Sequence, residues 1–228
     1  MTWKFWKRPP SNPVVAAYRE ATSPRPSRKT PVADARFVIL DCETSGFDIQ
    51  ANRILSLAIA EVGKGRLSIA KSRSWTVFQE DAPINKAVAI HGILPSQTAG
   101  GQPEAEVLLE FLPRIHDAIL VGHHILFDIA MLNASLERHY RAALRNPTLD
   151  TAAFAMTSIE AFAKTAYPGQ HEPSLEEVCA QCKIAPLERH TAEGDTFTTA
   201  QIFLSMCALH QRHLGRPLTL ADLPLLNG

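Results

Sequence analysis

The sequence predicts an α/β fold in which a mixed β-sheet is flanked by helices. Three apolar segments rich in strand-forming residues come first, at 37–40, 54–62 and 67–79. Helical patterns then alternate with one more short apolar segment, at 118–122. A run of strands followed by strands that alternate with helices is typical of a mixed sheet with helices packed on it.

The three leading strands are expected to form an antiparallel meander. The continuous apolar run at 37–40 is the pattern of a central strand that is buried on both faces. Gly63-Lys64-Gly65 marks a tight turn between the second and third strands. Strands joined by so short a turn pair antiparallel, because parallel pairing needs a long crossover connection.

Helices are expected where apolar residues recur every three or four positions. The predicted helices cover 84–91, 103–117, 125–140, 150–164, 174–181 and 191–212. Gly92 is placed to end the first of them in a left-handed conformation. The buried stripe of the last helix is predicted to consist of Phe197, Ala200, Leu204, Cys207 and Gln211.

Composition divides the chain into three parts. Residues 1–33 hold six of the sixteen prolines and seven Lys or Arg against one acidic residue, a balance of +6. We interpret them as a flexible, basic, proline-rich N-terminal extension with a short helix over 13–21. The body is assigned to 34–213 and a C-terminal tail to 214–228. From residue 34 onwards, 16 basic and 22 acidic residues give a balance of −6.

The composition argues against several classes of protein. A chain of 228 residues with 46% hydrophobic and 20% charged residues can build its core without disulfides or a structural metal. It has no run of 18 apolar residues, and no apolar segment follows the basic N-terminus, so neither a membrane span nor a secretory signal is expected. The four cysteines are interpreted as reduced thiols, which predicts a cytoplasmic location, and the pair Cys179 and Cys182 is interpreted as core-facing helix residues.

The most informative local feature is a pair of acidic residues directly after the first predicted strand. Asp41 and Glu43 are two positions apart, and such residues on an extended chain point to the same face. Two adjacent carboxylates repel each other unless a cation lies between them, and their oxygens suit Mg²⁺ or Mn²⁺. The pair therefore indicates a metal site, although a solvated strand end would show the same two residues.

A third carboxylate, Asp128, lies beside the apolar stripe of its predicted helix. It follows Ile125 by three positions and precedes Leu132 by four, so it faces the packed side of the helix. A carboxylate in such a place needs a partner, because an unpaired buried charge is costly. A metal ion is one candidate partner, and a salt bridge to Arg138 or Arg141 is the other.

The fourth acid is Asp195, which follows His190 by five positions. Five positions on a helix are about 140° apart, so the two side chains converge only if His190 lies in the loop and Asp195 in the first helical turn. Thr191 and Gly194 are typical of such a helix start. A histidine is also a natural general base for activating water near neutral pH.

Together these residues indicate a reaction class. Two divalent ions about 4 Å apart can activate water on one side of a phosphorus atom and stabilise the leaving oxygen on the other. The groups available for this chemistry are the carboxylates of Asp41, Glu43, Asp128 and Asp195 and the base His190. The pattern predicts metal-dependent hydrolysis of a phosphodiester.

These motifs resemble those of the DEDD exonucleases of the DnaQ-like class, over residues 36–213. The first motif, D-x-E-T, reads Asp41-Cys42-Glu43-Thr44, and the second, usually H-N-x-x-F-D, reads His123-His124-Ile125-Leu126-Phe127-Asp128. His190 and Asp195 match the H-x-x-x-x-D branch of the class. Ala89-Ile90-His91-Gly92-Ile93 is similar to the family's H-G-I segment, and Asp150-Thr151 is similar to its D-T before a helix.

The resemblance implies an RNase H-like fold with a mixed five-stranded sheet, two bound Mg²⁺ or Mn²⁺ ions, and release of nucleoside 5′-monophosphates from a 3′ end. It also implies that His190 is the general base and that the terminal nucleotide is contacted by Thr44, His91, Phe127 and the second-motif residue His124. His124 stands where Asn is usual, and Lys86 stands where some members have an acid. Both departures leave the preferred substrate open.

Three functions compete. The leading one is a 3′→5′ exonuclease on single-stranded DNA, similar to the epsilon proofreading subunits of bacterial DNA polymerase III, acting in replication or repair with a polymerase subunit as candidate partner. An RNA-trimming exonuclease or oligoribonuclease would have the same fold, since fold alone does not select the substrate. A non-catalytic module that recruits a polymerase is the third, and the presence of every motif carboxylate argues against it.

Overall fold

The computed structural model describes residues 12–23, 25–80, 87–163 and 170–226, apart from the side chain of Ile90. The strands are β1 Arg36–Thr44, β2 Ile54–Gly63, β3 Arg66–Thr76, β4 Ile119–Gly122, β5 Thr148–Asp150 and β6 Leu225–Leu226. The α-helices are α1 Pro13–Ala21, α2 Val88–His91, α3 Pro95–Thr98, α4 Glu104–Ile115, α5 Leu126–Tyr140, α6 Thr151–Ser158, α7 Leu175–Cys182 and α8 Ala192–Leu214. Short 3₁₀ helices lie at Val32–Asp34, Glu160–Phe162 and Leu220–Asp222.

The strands form one mixed sheet in the order β3-β2-β1-β4-β5-β6. β1 pairs antiparallel with β2, β2 pairs antiparallel with β3, and β1 pairs parallel with β4. β4 and β5 are parallel, whereas β5 and β6 are antiparallel. The predicted meander of the first three strands and the predicted mixed sheet are confirmed.

The sheet has six strands, in contrast to the five that the resemblance implies. The additional strand is β6, in which Leu225 and Leu226 of the C-terminal tail pair with β5. The tail packs because it is apolar, with Leu218, Leu220 and Leu223 at most 3% exposed. β5 itself was assigned to no strand from the sequence, since three buried residues are too few to show a periodicity.

The side chains of β1 alternate between two cores on opposite faces of the sheet. Val38 and Leu40 face a core that includes residues of α1, α4 and α5. Phe37 and Ile39 face the other core, which includes residues of α6, α7 and α8. The central strand is thus buried on both faces, as predicted, and its last residues, which include the acidic pair, remain paired with β2.

The N-terminal segment is packed over its described part, and this corrects the expectation of a flexible extension. α1 begins after Asn12, whose side chain accepts a hydrogen bond from a first-turn N–H at 2.9 Å. Val15 and Tyr18 are buried against the body. Tyr18 Oη donates to Asn146 Oδ1 at 2.6 Å. Two buried side chains on one helix face therefore outweigh the basic, proline-rich composition.

The remaining predicted helices occur within a few residues of their expected bounds. The segment predicted as 150–164 divides into α6 and a 3₁₀ turn at Glu160–Phe162, and residues 164–169 lie outside the described part. Gly92 ends α2 with φ 69°, as predicted. Lys86 lies outside the described residues.

The buried face of α8 differs from the predicted stripe. Of that stripe only Ala200 is buried, while Gln211 is exposed. The buried positions are Ala192, Gly194, Asp195, Thr196, Thr198, Thr199, Ala200, Ile202, Phe203 and Met206. Small and polar residues let the first turns of α8 approach the sheet closely, and hydropathy alone does not reveal such a contact.

Two further expectations concern the cysteines and membranes. All four cysteines are free thiols; of the pair predicted to face the core, Cys179 is buried and Cys182 is half-buried against the same core. Across the described ranges, no helix combines the length and apolarity that a membrane crossing would require.

Candidate active site

Three carboxylates converge at the end of β1. Asp41, Glu43 and Asp195 each offer one carboxylate oxygen, and these oxygens lie within 4.8 Å of one another. Asp41 and Glu43 come from the strand, whereas Asp195 comes from the first turn of α8. That helix begins where its cap, Thr191, accepts a hydrogen bond from the N–H of Gly194 at 3.0 Å. The strand alternation and the helix start predicted from the sequence thus bring the three side chains together.

Asp128 lies against the backbone of the same strand. Its Oδ1 accepts a hydrogen bond from the N–H of Cys42 at 2.9 Å, so the carboxylate is next to the peptide between Asp41 and Glu43. The side chain is buried, at 6% exposure. Arg138, which the sequence offered as an alternative partner, pairs with Glu104 at 2.6 Å. Arg138 is therefore engaged elsewhere, and a salt bridge to it does not explain the burial of Asp128.

Burial and mutual repulsion raise the pKa values of these acids. Burial, followed by the charges of Asp128 and Glu43, holds the pKa of Asp41 well above its ordinary value. Burial and the charge of Asp195 raise the pKa of Glu43 to about 7. Burial also raises the pKa of Asp128 to about 7. A group of acids that resists ionisation in this way is stabilised by a nearby cation.

The donor set fits a hard divalent ion. Asp41, Glu43, Asp195 and the adjacent Asp128 offer only carboxylate oxygens, which Mg²⁺ and Mn²⁺ prefer. The raised pKa values give a second reason, because a bound cation would remove the repulsion that raises them. The site therefore suits Mg²⁺ or Mn²⁺ on its chemistry.

The raised pKa values predict a pH-dependent stability in EDTA. An acid whose folded pKa exceeds its unfolded pKa contributes stability at low pH that is lost as the pH rises through the folded value. For Glu43 this window runs from its ordinary value of 4.5 to about 7. Urea unfolding in EDTA should show the free energy of unfolding falling across this range, by on the order of 2 kcal/mol.

Two controls accompany this measurement. Glu43→Gln lacks the titrating group, so its unfolding free energy should fall less than that of the wild type. Mn²⁺ should abolish the fall, because the ion compensates the charges that appear at higher pH. Wild type and Glu43→Gln with the same pH dependence would contradict the assignment.

His190 lies in the loop immediately before α8, where the sequence required it. Its backbone has φ 62°, and its N–H donates to Asp195 Oδ2 at 3.3 Å. The side chain is exposed to solvent. The main chain of His190 is thus tied to a member of the carboxylate cluster, while its imidazole is free to meet a substrate.

Arg189 is a charged neighbour that the sequence analysis missed. Its Nη1 donates to Asp195 Oδ1, and its Nε donates to Glu176 Oε1 at 2.8 Å. The guanidinium lowers the pKa values of Asp41 and Glu43, opposing the larger effect of burial. Its position directly before His190 was the available signal.

A cleft of about 400 Å³ opens beside the carboxylates. Its lining residues are Asp41, Cys42, Glu43, Thr44, Gly46, Phe47, Ala87, His91, His123, His124, Phe127 and Asp128. The lining thus includes the predicted substrate contacts Thr44, His91, His124 and Phe127. His91 Nδ1 accepts a hydrogen bond from the N–H of Ile93 at 3.0 Å, which leaves Nε2 to carry the proton of the neutral ring as a donor.

Phe47 and Phe127 form an aromatic pair at this cleft. Their ring centroids are 5.9 Å apart and their planes are inclined by 52°. Phe47 is 76% exposed, so its ring presents apolar surface to solvent directly after the first motif. The sequence analysis named Phe127 and missed Phe47, although an aromatic residue following Asp-x-Glu-Thr-Ser-Gly was visible.

The backbone at His124 explains the departure from the usual Asn. His124 has φ 56°, a left-handed conformation that Asn, Asp and His tolerate better than most residues. Its N–H donates to Asp150 Oδ1 at 3.1 Å. The same oxygen of Asp150 caps α6 by accepting from the N–H of Ala152 at 2.9 Å. Asp150 therefore holds the His124 backbone, and the imidazole lines the cleft.

A comparison with known protein families identifies the family to which these motifs belong. A family model described as Exonuclease matches residues 38–203, which include all four motif carboxylates and His190. The chain belongs to the exonuclease family. The predicted enzyme class is thereby confirmed.

Two relatives show how far the likeness of this exonuclease extends. It is 29% identical over 173 residues to the DNA polymerase III subunit epsilon of Aquifex aeolicus, which covers 76% of this chain and 81% of the relative. It is 29% identical over 195 residues to the PolC-type DNA polymerase III of Halalkalibacterium halodurans, covering 85% of this chain and 12% of that much longer protein.

Solved structures confirm the fold of the exonuclease. Exonuclease I of E. coli, solved in complex with a dT13 oligonucleotide, has a TM-score of 0.60 and 17% identity, covering 80% of this chain and 43% of that chain. At this identity the likeness concerns the fold alone. The predicted RNase H-like class is confirmed, with one strand more than expected.

Proposed function

We propose that this exonuclease removes nucleotides from the 3′ end of single-stranded DNA with two Mg²⁺ or Mn²⁺ ions as cofactors. The observation that carries the proposal is the convergence of three carboxylate oxygens within 4.8 Å of one another, beside a cleft that two of these acids, Asp41 and Glu43, line. The ligands would be Asp41, Glu43, Asp128 and Asp195. When bound, such ions activate water and stabilise the charge that develops on the leaving oxygen.

In this proposal His190, in the loop before α8, acts as the general base. An imidazole nitrogen of His190 accepts a proton from the attacking water, since the ring is exposed and its backbone is tied to Asp195. The new P–O bond forms as the bond from phosphorus to the 3′ oxygen breaks, and the leaving 3′ oxygen takes a proton from solvent water. The products are a nucleoside 5′-monophosphate and a strand with a new 3′-hydroxyl.

The cleft would hold the terminal nucleotide. The Phe47–Phe127 pair offers an aromatic surface on which a base can stack, and base stacking does not depend strongly on sequence. His91 Nε2 and Thr44 supply polar groups on the same lining. Since a base must leave its neighbours to enter such a cleft, a single-stranded end is the favoured substrate.

His124 would meet the strand on the other side of the cleft. Its Nδ1 is 3.6 Å from Glu172 Oε2, and both side chains are about half exposed. A ring N–H of His124 can donate to a phosphate oxygen, as side-chain donors do in other nucleic-acid complexes.

The relatives support DNA as the substrate and a role beside a polymerase. The Aquifex aeolicus relative is named as a subunit of DNA polymerase III, and the E. coli exonuclease I structure holds a deoxythymidine oligonucleotide. We therefore propose a proofreading or repair nuclease that acts in the cytoplasm with a polymerase subunit as partner.

The deciding experiment uses 5′-labelled single-stranded DNA and RNA of one sequence, each with Mg²⁺, Mn²⁺ or EDTA. We expect a metal-dependent ladder that shortens from the 3′ end of DNA, and no ladder with Asp195→Asn. A faster reaction on RNA would replace the proposal with RNA trimming. Failure to degrade either strand with either metal, even beside a polymerase core, would favour a non-catalytic binding module.

Phe47→Ala should weaken the use of short DNA substrates. Loss of one stacking surface is worth about 1–3 kcal/mol, so kcat/KM is expected to fall roughly 5- to 150-fold. Ile69→Ala is a matched control, because Ile69 is 72% exposed on β3 near the opposite end of the sheet. Equal kcat/KM values for the two variants would exclude Phe47 from the substrate site.

A further inference from the structure

Arg189 connects the carboxylate cluster to the first turn of α7. Its Nη1 donates to Asp195 Oδ1, while its Nε and Nη2 both donate to Glu176 Oε1. The two acids lie in different settings, since Asp195 is buried and Glu176 is 53% exposed at its side chain. One guanidinium therefore bridges a buried carboxylate and an exposed one.

The contact with Asp195 involves a group that a divalent ion would need. The oxygens of Asp41, Glu43 and Asp195 converge within 4.8 Å, and Arg189 is close enough for its charge to act on all three. A guanidinium and a divalent cation on the same carboxylate repel each other, most strongly where water is partly excluded. Glu176 can still bind the guanidinium after Asp195 has exchanged Arg189 for a metal ion. The arginine therefore keeps an acidic partner in both states.

We propose that Arg189 competes with a divalent cation for Asp195, and that metal loading transfers the guanidinium wholly to Glu176. The inference rests on the metal site of the proposed function. Its consequence is a metal affinity lower than the carboxylates alone would give.

The first test measures Mn²⁺ binding without any substrate, from the electron paramagnetic resonance signal of the free ion. Arg189→Met is expected to bind Mn²⁺ on the order of tenfold more tightly than the wild type. Arg189→Lys keeps the positive charge and should stay within about threefold of the wild type. Arg212→Met removes an exposed charge about 25 Å along α8 from Asp195 and should leave the affinity unchanged.

A double-mutant cycle tests the part assigned to Glu176. Glu176→Gln should weaken Mn²⁺ binding when Arg189 is present, because the displaced guanidinium then has no carboxylate to receive it. In the Arg189→Met background the same change should have little effect. An equal loss in both backgrounds would show that Glu176 acts by its charge alone and would overturn the transfer.

Other outcomes separate this inference from the proposed function. Wild-type protein that binds Mn²⁺ only when Asp41 is intact establishes the metal site, and an unchanged or weaker affinity in Arg189→Met then overturns the competition alone. Wild-type protein that binds no Mn²⁺ overturns both. Circular dichroism of each variant checks that the fold is retained, and Glu176→Gln tests the same exchange from the other partner.

Discussion

Asp41→Asn is expected to lower exonuclease turnover by at least about 10³-fold while leaving the fold intact. Asp41 lies within the cluster, where burial and the charges of Asp128 and Glu43 raise its pKa. An amide of nearly the same size cannot supply the negative charge that holds a divalent ion. The loss should therefore appear in kcat on labelled single-stranded DNA at saturating Mg²⁺.

The same substitution should not destabilise the protein in EDTA. It removes one of several mutually repelling carboxylates, so the melting temperature in EDTA is expected to equal or exceed that of the wild type. The rise in melting temperature that Mn²⁺ causes in the wild type should be smaller in the variant. Asp34→Asn, an exposed aspartate outside the cluster, is the matched control.

Either of two results would change the assignment of Asp41. Near-normal turnover in Asp41→Asn would mean that Asp41 is not a metal ligand. A melting temperature far below that of the wild type in EDTA would mean that the carboxylate has a structural role in the strand end, and that lost activity reports on the fold.

His190→Ala is expected to reduce kcat by roughly 10²- to 10⁴-fold, the usual scale for a lost general base. The side chain is exposed, so its removal creates no cavity, and the melting temperature should fall only slightly, because Ala fits the φ of 62° less well than His does. Mn²⁺ affinity should be retained as well, because the converging oxygens belong to Asp41, Glu43 and Asp195. A loss of turnover with binding and fold unchanged distinguishes a base from a ligand.

A control variant provides the second comparison for His190. His213→Ala removes an exposed histidine near the far end of α8 and should leave kcat unchanged. A wild-type rate in His190→Ala would place the base elsewhere.

The sequence indicated the members of the acidic site because the placement of each within its own strand or helix depends on local geometry, whereas their convergence depends on the packing of α8 against β1. Asp41 and Glu43 share a face through the two-residue period of a strand, and Asp195 is placed by the start of a helix at Thr191. The mixed sheet followed in the same way from strands that precede a series of strands and helices. Local periodicities of this kind can be read along the chain without knowledge of distant contacts.

The tertiary structure decided what depends on contacts between distant segments. Tyr18 packs against the body through Asn146, 128 positions away, so composition could not distinguish α1 from a flexible extension. The pairing of Leu225 and Leu226 with β5 likewise adds a strand, and a strand of two residues is too short to be predicted from a sequence pattern. In each case the stabilising contact joins residues far apart in the chain.

The same reason explains which functional groups the motifs did not reveal. Phe47 acquires a role through its approach to Phe127, and Arg189 acquires one by bridging Asp195 and Glu176. A sequence motif reveals only those residues whose relative positions are fixed within one strand or one helix. The Phe47–Phe127 pair and the Arg189 bridge form only when the sheet, α5, α7 and α8 have packed together.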